Sequence, residues 1–379
     1  MSEKLQFKNP NLPRIGLNGR FLSANRTGVQ RASYRLFHTI IEKGTHFNFI
    51  LFTSEQEKNA SEWKKDNVQV ITSPLKLQRS FQNYFWEQWT LPKLMKKYNC
   101  SLLHNPANLA PLLCGKKNIV HIHDLCFLIE PQWFSFNFRW LYKFLVPKIS
   151  QKALLVLTNS NHSKNDILEL LPVNIEKIRH FYWGVEPIFH QDSFKRPWSQ
   201  KEDRILFVGS LEPRKNLPNL LLAYNKFRET HFAKLTIVGC HNPVFADHSY
   251  SLGKYKDDIE FLGYIPDSTL ADLYSRSKVL IYPSFYEGFG LPPLEAMAVG
   301  TPVISSHASS LPEILDHAAL YVDPKDSSSI LNKLNLLWTD QSLAKDLISK
   351  GYLRIKAFDW NDIADYILSL YSSCLKTQI

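Results

Sequence analysis

The sequence predicts an α/β protein of two successive domains, each built on a parallel sheet. Short apolar runs of strand length alternate with helical runs, the signature of β–α–β units. The alternation occurs in two series, separated by an aperiodic polar stretch with two prolines, PIFHQDSFKRPWSQKED at 187–203. At 379 residues the chain is also too long for one ordinary core, so two domains of roughly 150–200 residues are expected.

The first series opens on RIGLNGRF (14–21) and continues through FNFILFT (47–53), VQVIT (68–72), SLLHNP (101–106), NIVHIHDL (118–125) and ALLVLTNS (153–160). Most of these runs are rich in β-branched residues or leucine, as strands buried on both faces require. GVQRASYRLFHTIIEK (28–43) and EQWTLPKLMKKY (87–98) read as helices between them. The second series has the strands RILFVGS (204–210), AKLTIVG (233–239), IEFLGYI (259–265), VLIYPS (279–284) and TPVISS (301–306). Its helices are NLPNLLLAYNKFRET (216–230), STLADLYSRS (268–277) and PPLEAMAVG (292–300). WNDIADYILSLYSSCL (360–375) shows helical spacing after Asn361 or Asp362 as a cap. The expected organisation is therefore a first domain over 1–190, a second over 200–358, and a C-terminal helix over 359–379 packing across both. No repeat of 20 to 50 residues is present, which excludes a solenoid.

An apolar share of 44% fits folded cores and argues against extensive disorder. The five cysteines, Cys100, Cys114, Cys126, Cys240 and Cys374, have no paired spacing of a zinc or redox site and suit a reducing cytoplasm. No signal-peptide pattern and no run of membrane-span length is found, so a cytoplasmic protein is expected. The net charge of +10 is dispersed and accompanies no nucleic-acid motif, so nucleic acid is not an expected partner. WFSFNFRWLYKFLVPKISQK (133–152) carries seven aromatic and four basic residues and no acid. Two readings are open: a segment lying in an anionic headgroup layer, or a core helix with its cations in water, its pattern interrupted by Pro147.

The most informative stretch is FYEGFGLPPLEAMAVGTPVISSHASSLPEIL, residues 285–315. Gly288 and Gly290 allow close backbone approach, and Pro292 or Pro293 suits a first helical turn whose free amides attract an anion. Glu287 and Glu295 flank that turn, where carboxylates suit hydroxyls of a ribose or hexose better than phosphate; the alternative is a solvated pair beside a loop. Together these groups fit a nucleotide sugar. In SLEPRKN, after the strand at 204–210, Arg214 and Lys215 stand at a strand's carboxyl end and suit a diphosphate; isolated, they would read as surface charges. VHIHDL places His123 and Asp124 where a strand meets its loop. His123 reads as the polar wall of a sugar pocket or as a satisfied core histidine, and three metal ligands are not evident. Gly28 precedes a helix in RTGVQR, where it would let amides approach a phosphate.

TGVQR, HIHDL, LTNSNHSKNDI, YWGVEPIF, GSLEPRKN and EGFGLPPLEAMAVGTPVISS with LPEIL occur in this order over almost the whole chain. In that order they resemble glycosyltransferase family 4, retaining enzymes with the GT-B fold of two Rossmann-like domains facing across a cleft. WEQWTLPKLMKKYNCSLLHNPANLAPLL with the following HDL is most similar to bacterial mannosyl- and rhamnosyl-type transferases of surface polysaccharide synthesis, such as lipopolysaccharide O-antigen. The resemblance implies that Glu287 contacts hydroxyls of the transferred sugar and Glu295 the ribose. It implies that amides of Phe289, Gly290 and Leu291 line sugar and diphosphate, that Lys215 and Arg214 balance the leaving group, and that His123 sits by the donor sugar. Many relatives carry arginine directly after the strand glycine, where this chain has Ser210 after Gly209.

The resemblance also implies GDP-mannose as donor, ahead of UDP- and dTDP-linked sugars. A growing or lipid-linked polysaccharide is the implied acceptor, reached at the inner face of the membrane. No cofactor and no metal are expected, since front-face attack needs no protein nucleophile and the chain contains no D-x-D. A catalytically silent nucleotide-sugar-binding scaffold is the alternative. A Rossmann oxidoreductase is disfavoured by the absence of G-x-G-x-x-G after the first strand.

Overall fold

A computed structural model of the chain describes residues 7–23, 28–53, 60–63, 65–72, 84–241, 244–245 and 250–376. Thirteen strands among the described residues form two sheets. The first holds β1 (Arg14–Asn18), β2 (Asn48–Thr53), β3 (Val68–Thr72), β4 (Leu102–Asn105), β5 (Asn118–His121), β6 (Leu155–Thr158) and β7 (Ile178–His180) in the order β3-β2-β1-β4-β5-β6-β7. The second holds β8 (Glu202–Val208), β9 (Lys234–Val238), β10 (Ile259–Gly263), β11 (Ser277–Tyr282), β12 (Val303–Ser306) and β13 (Ala319–Val322) in the order β10-β9-β8-β11-β12-β13. Pairing is parallel throughout. Both sheets therefore wind outward in two directions from their first strand, the doubly wound pattern of a Rossmann-like unit. The double α/β architecture predicted from the alternation is thus observed.

The strands form where the apolar runs lie because helices cover both sheet faces, and all of β2, β4, β5, β6 and β12 is buried. Two strands lie outside the predicted set. β7 (IRH) and β13 (ALYV) are short edge strands, partly exposed, and lack the continuous apolar run that marks the inner ones. The predicted strand at 118–125 stops at His121, and its tail becomes the loop that carries His123 and Asp124.

Three helical expectations need correction. The segment at 87–98 begins with a wide turn over Trp86–Thr90 before the helix Leu91–Lys97, whose early Pro92 offers no N–H. Pro147 does not interrupt its helix, which runs unbroken from Phe136 to Lys152 because Tyr142, Leu145, Val146 and Ile149 anchor it in the core on both sides of the proline. The last helix, Trp360–Lys376, is capped by neither Asn361 nor Asp362; the Asp359 carboxylate accepts the Asn361 amide at 2.7 Å.

That last helix lies along the helix Gly28–Lys43 of the first lobe. Lys43 reaches Asp365 at 2.5 Å, and the Tyr371 hydroxyl bonds Nδ1 of buried His104, whose Nε2 stands 2.6 Å from Nε2 of His121. Leu291–Ala298 of the second lobe meets the turn Ile355–Ala357 just before this helix. One apolar cluster consequently runs from Ile15 through Trp183, Phe289 and Phe358 to Tyr371, joining the lobes.

Candidate functional site

β8 and β11 are neighbours at the middle of the second sheet, where the strand order reverses. Loops after two such strands part in opposite directions and leave a crevice at their carboxyl ends. The turn Pro213–Lys215 after β8 brings Arg214 and Lys215 to that crevice, and the loop after β11 brings Glu287. Asn216, with φ of 59°, closes the first loop, and its side-chain amide donates to the carbonyls of Pro283 at 2.9 Å and Pro324 at 2.6 Å. The Phe285 amide donates to the Arg214 carbonyl at 2.8 Å. Neighbouring strands thus hold both loops rigidly together.

Each oxygen of Glu287 meets one cation. Lys215 Nζ donates to Oε1 at 2.6 Å and to the Tyr282 hydroxyl at 2.7 Å. Arg214 Nη1 donates to Oε2 at 2.9 Å and to the Tyr286 carbonyl at 3.1 Å. The rest of the guanidinium holds Glu212 Oε1, through Nη2 at 2.7 Å and Nε at 3.2 Å. Burial pushes the Glu287 carboxyl up, but the Arg214 and Lys215 charges outweigh it and hold the group at about 2. Glu287 is an anion at any physiological pH.

The turn that follows is shaped by two glycines. A Cβ on Gly288 would lie 2.6 Å from the His123 carbonyl oxygen, so the lobes touch backbone to backbone here. Gly290 has φ of 113°, which side-chain-bearing residues rarely adopt, and starts the proline-rich helix Leu291–Ala298. Ser310 Oγ donates to the carbonyls of Glu287 and Phe289, and the Ser309 hydroxyl accepts the Glu287 amide at 2.7 Å. The Phe289 ring is buried against Tyr182, Trp183 and Phe358, leaving its backbone as the part that faces the turn.

Glu295 lies one turn into that helix and is buried. Its Oε1 accepts Arg31 Nη2 at 2.5 Å and its Oε2 accepts the Tyr274 hydroxyl at 3.1 Å. Arg31 comes from the first lobe and also reaches Asp267 at 3.4 Å. Burial raises the Glu295 carboxyl above the ordinary range, and Arg31 offsets only part of that.

His123 sits across the lobe contact. Its Nε2 lies 2.8 Å from the Pro106 carbonyl, which makes Nε2 the donor and leaves Nδ1 as a buried acceptor without a partner among the described residues. Burial lowers the ring to about 4, so it is neutral. Asp124 beside it has a carboxyl raised by burial. Ser210 lies half-buried in the β8 loop. Gly28 begins its helix, is exposed, and a Cβ there would meet nothing within 4 Å, so sterics do not require glycine. Thr27, the first residue of that motif, lies outside the described residues. The structure brings Glu287, Lys215, Arg214, Gly288, Phe289, Gly290, Leu291 and His123 into one region, with Glu295 one helical turn behind.

Arg31, Glu212, Tyr274, Tyr282, Ser309 and Ser310 escaped the sequence reading. Arg31 was the discoverable one: it stands three residues after Gly28 on an amphipathic helix. Among the described residues no group of three or more His, Cys, Asp or Glu is arranged to hold a metal. The groups present are suited to binding hydroxyls and to balancing a developing anion.

A sequence model described as Glycosyltransferase Family 4 matches residues 26–188, and one described as Glycosyl transferases group 1 matches residues 189–354. The chain is 29% identical over 289 residues to O-antigen chain mannosyltransferase B of Escherichia coli, covering 73% of this chain and 75% of that one. It is 31% identical over 270 residues to O-antigen chain mannosyltransferase RfbU of Salmonella typhimurium, covering 69% and 72%. The crystal structure of Anabaena Alr3699/HepE in complex with UDP superposes with a TM-score of 0.70 at 16% identity, covering 96% of this chain and 100% of that one.

Proposed function

This chain belongs to the family 4 and group 1 glycosyltransferases, enzymes of the two-domain GT-B type, and from that premise we propose a retaining transfer of mannose from GDP-mannose to a growing saccharide chain. The observation that carries the site assignment is the Arg214–Glu287–Lys215 triad at the crevice of the second sheet. Mannose rests on the similarity to the two relatives above, both O-antigen chain mannosyltransferases. The nucleotide is proposed to lie over the second lobe, where Arg214 and Lys215 stand at the crevice; a neighbour of the same fold is in complex with UDP.

In this reading the donor ribose takes the place of Arg31 on Glu295, and the sugar hydroxyls bond Glu287 and Nδ1 of His123. The diphosphate meets the Gly290 and Leu291 amides with Lys215 and Arg214. The anomeric C–O bond breaks toward the diphosphate, the acceptor hydroxyl oxygen bonds to the same face of that carbon, and its proton passes to the departing phosphate oxygen. Positive charge fixed beside the leaving group lowers the barrier because it is already oriented. The side-chain cations supply that charge, so the proposal includes independence of divalent metal.

The test is a panel of nucleotide sugars scored for slow hydrolysis and for a rise in melting temperature. GDP-mannose is expected to lead in both. Activity lost in EDTA and restored by magnesium or manganese would remove the metal-free element. Lys215→Ala is expected to lower kcat by roughly a hundredfold or more with the melting profile retained, as for loss of one oriented donor.

A further inference from the structure

We propose that the outer face of the first lobe docks on an anionic lipid bilayer, through the Trp86–Thr90 turn, the Leu112–Lys117 turn and the helix Phe136–Lys152. The Leu112–Lys117 turn contacts both of the others, and Gln88 ties it to the first by bonding the Ala110 carbonyl and the Leu112 amide, each at 3.0 Å. The helix is apolar on two sides. Tyr142, Leu145, Val146 and Ile149 enter the core. On another side Phe136, Trp140 and Phe144 stand four residues apart and are 68%, 62% and 50% exposed. A core explains the first set and not the second.

The other two elements also expose apolar side chains. Phe85 and Trp89 stack at 4.9 Å while half-exposed, and Leu113 is 72% exposed. Trp140 and Phe144 lie nearly parallel, 3° apart at 6.0 Å, and Lys148 Nζ sits 3.4 Å from the Phe144 ring centroid. An exposed ring pair with an ammonium group over one face suits side chains seated at a lipid–water boundary.

Charge identifies the occupant. Between Gln88 and Asn165 the chain carries ten lysines and arginines against two acids, Asp124 and Glu130, so this stretch holds +8 of the net +10. Lys116, Lys117, Lys143, Lys148 and Lys152 are exposed, and none has a carboxylate partner among the described residues. An unpaired cationic fringe around exposed aromatics complements phosphate headgroups over shallow acyl chains. Among the described residues no helix is long and apolar enough to cross a membrane, so the contact is one of surface residence.

The test sediments the full chain, without nucleotide sugar, against vesicles of phosphatidylcholine alone and of phosphatidylcholine with phosphatidylglycerol. Binding is expected to the anionic vesicles only, weakening as salt rises. The paired variants Trp140→Ser with Phe144→Ser, and Lys143→Glu with Lys148→Glu, are each expected to reduce partitioning roughly tenfold or more. All four side chains are exposed, so circular dichroism should show unchanged melting. Absence of binding to anionic vesicles, equal binding to neutral ones, or undiminished binding by either variant overturns the proposal. So does a dimer in light scattering that Trp140→Ser dissolves, which would give the face to a second copy. Because the readout involves no donor, failure here leaves the transferase reading untouched, and the reverse holds.

Discussion

Glu287 is held by two cations in a buried setting, and its protonation state is therefore linked to folding. Its folded value of about 2 lies below the ordinary 4.5, so the contribution is fully present above 4.5 and is lost as pH falls through 2. The shift corresponds to about 3 kcal/mol, which acid denaturation of wild type and Glu287→Gln should separate. Glu295 has the opposite sign. Its raised carboxyl weakens the fold as pH rises from the ordinary carboxylate value through its own. Removing Arg31 would leave Glu295 buried with the Tyr274 hydroxyl as its remaining hydrogen-bond partner among the described residues, and Arg31→Ala is expected to cost about 3 kcal/mol in denaturant unfolding. Adding Glu295→Ala to that variant should recover part of the loss. His123, neutral down to about 4, should contribute no inflection to a kcat/KM profile between roughly pH 5.5 and 7.5. An inflection in that window which vanishes in His123→Asn would refute its buried, neutral state.

At the scale of elements, the loop between β11 and the helix Leu291–Ala298 depends on one backbone conformation. Gly290 holds φ of 113°, and a Cβ there would stand 2.7 Å from Leu311 Cδ2. Gly290→Ala is expected to cost about 2 kcal/mol, read as a lowered melting temperature, and to lower turnover by moving Glu287 and the helix-start amides. The last helix is fixed in a different way. Among the described residues Tyr371 supplies the hydrogen-bond partner of His104 Nδ1, on a ring that burial keeps neutral by lowering it to about 3. Tyr371→Phe is expected to cost about 1–3 kcal/mol, the penalty for an unpaired buried acceptor.

At the scale of the molecule, the two lobes are joined by polar contacts on both sides of the Gly288–His123 approach. Arg31 meets Glu295 on one side. On another, the Glu313 carboxylate accepts the amides of Asn161 at 2.7 Å and His162 at 3.0 Å, at the start of the helix Asn161–Leu170. Glu287, Glu295, Lys215 and His123 are all buried in this arrangement, so the proposed function requires the lobes to part for a donor to meet them. The combined variant Arg31→Ala with Glu313→Ala is expected to raise the radius of gyration in X-ray scattering, and an unchanged profile would count against parting of the lobes.

Alternating apolar runs, two glycines in a turn and two glutamates eight residues apart are properties of local order, and the sequence alone determined from them two parallel-sheet domains and a candidate site after β8 and β11. Edge strands β7 and β13 were illegible because, partly exposed at the sheet edges, they carry no continuous apolar run. What each charge faces was decided by tertiary structure. Arg214 and Lys215 read along the chain as cations suited to a diphosphate, but folding sets both against Glu287, 73 and 72 positions away. Arg31 finds Glu295 from 264 positions away. Pairing across such separations depends on how strands are ordered and lobes are docked, and periodicity, which records only which face of an element is buried, carries no trace of it.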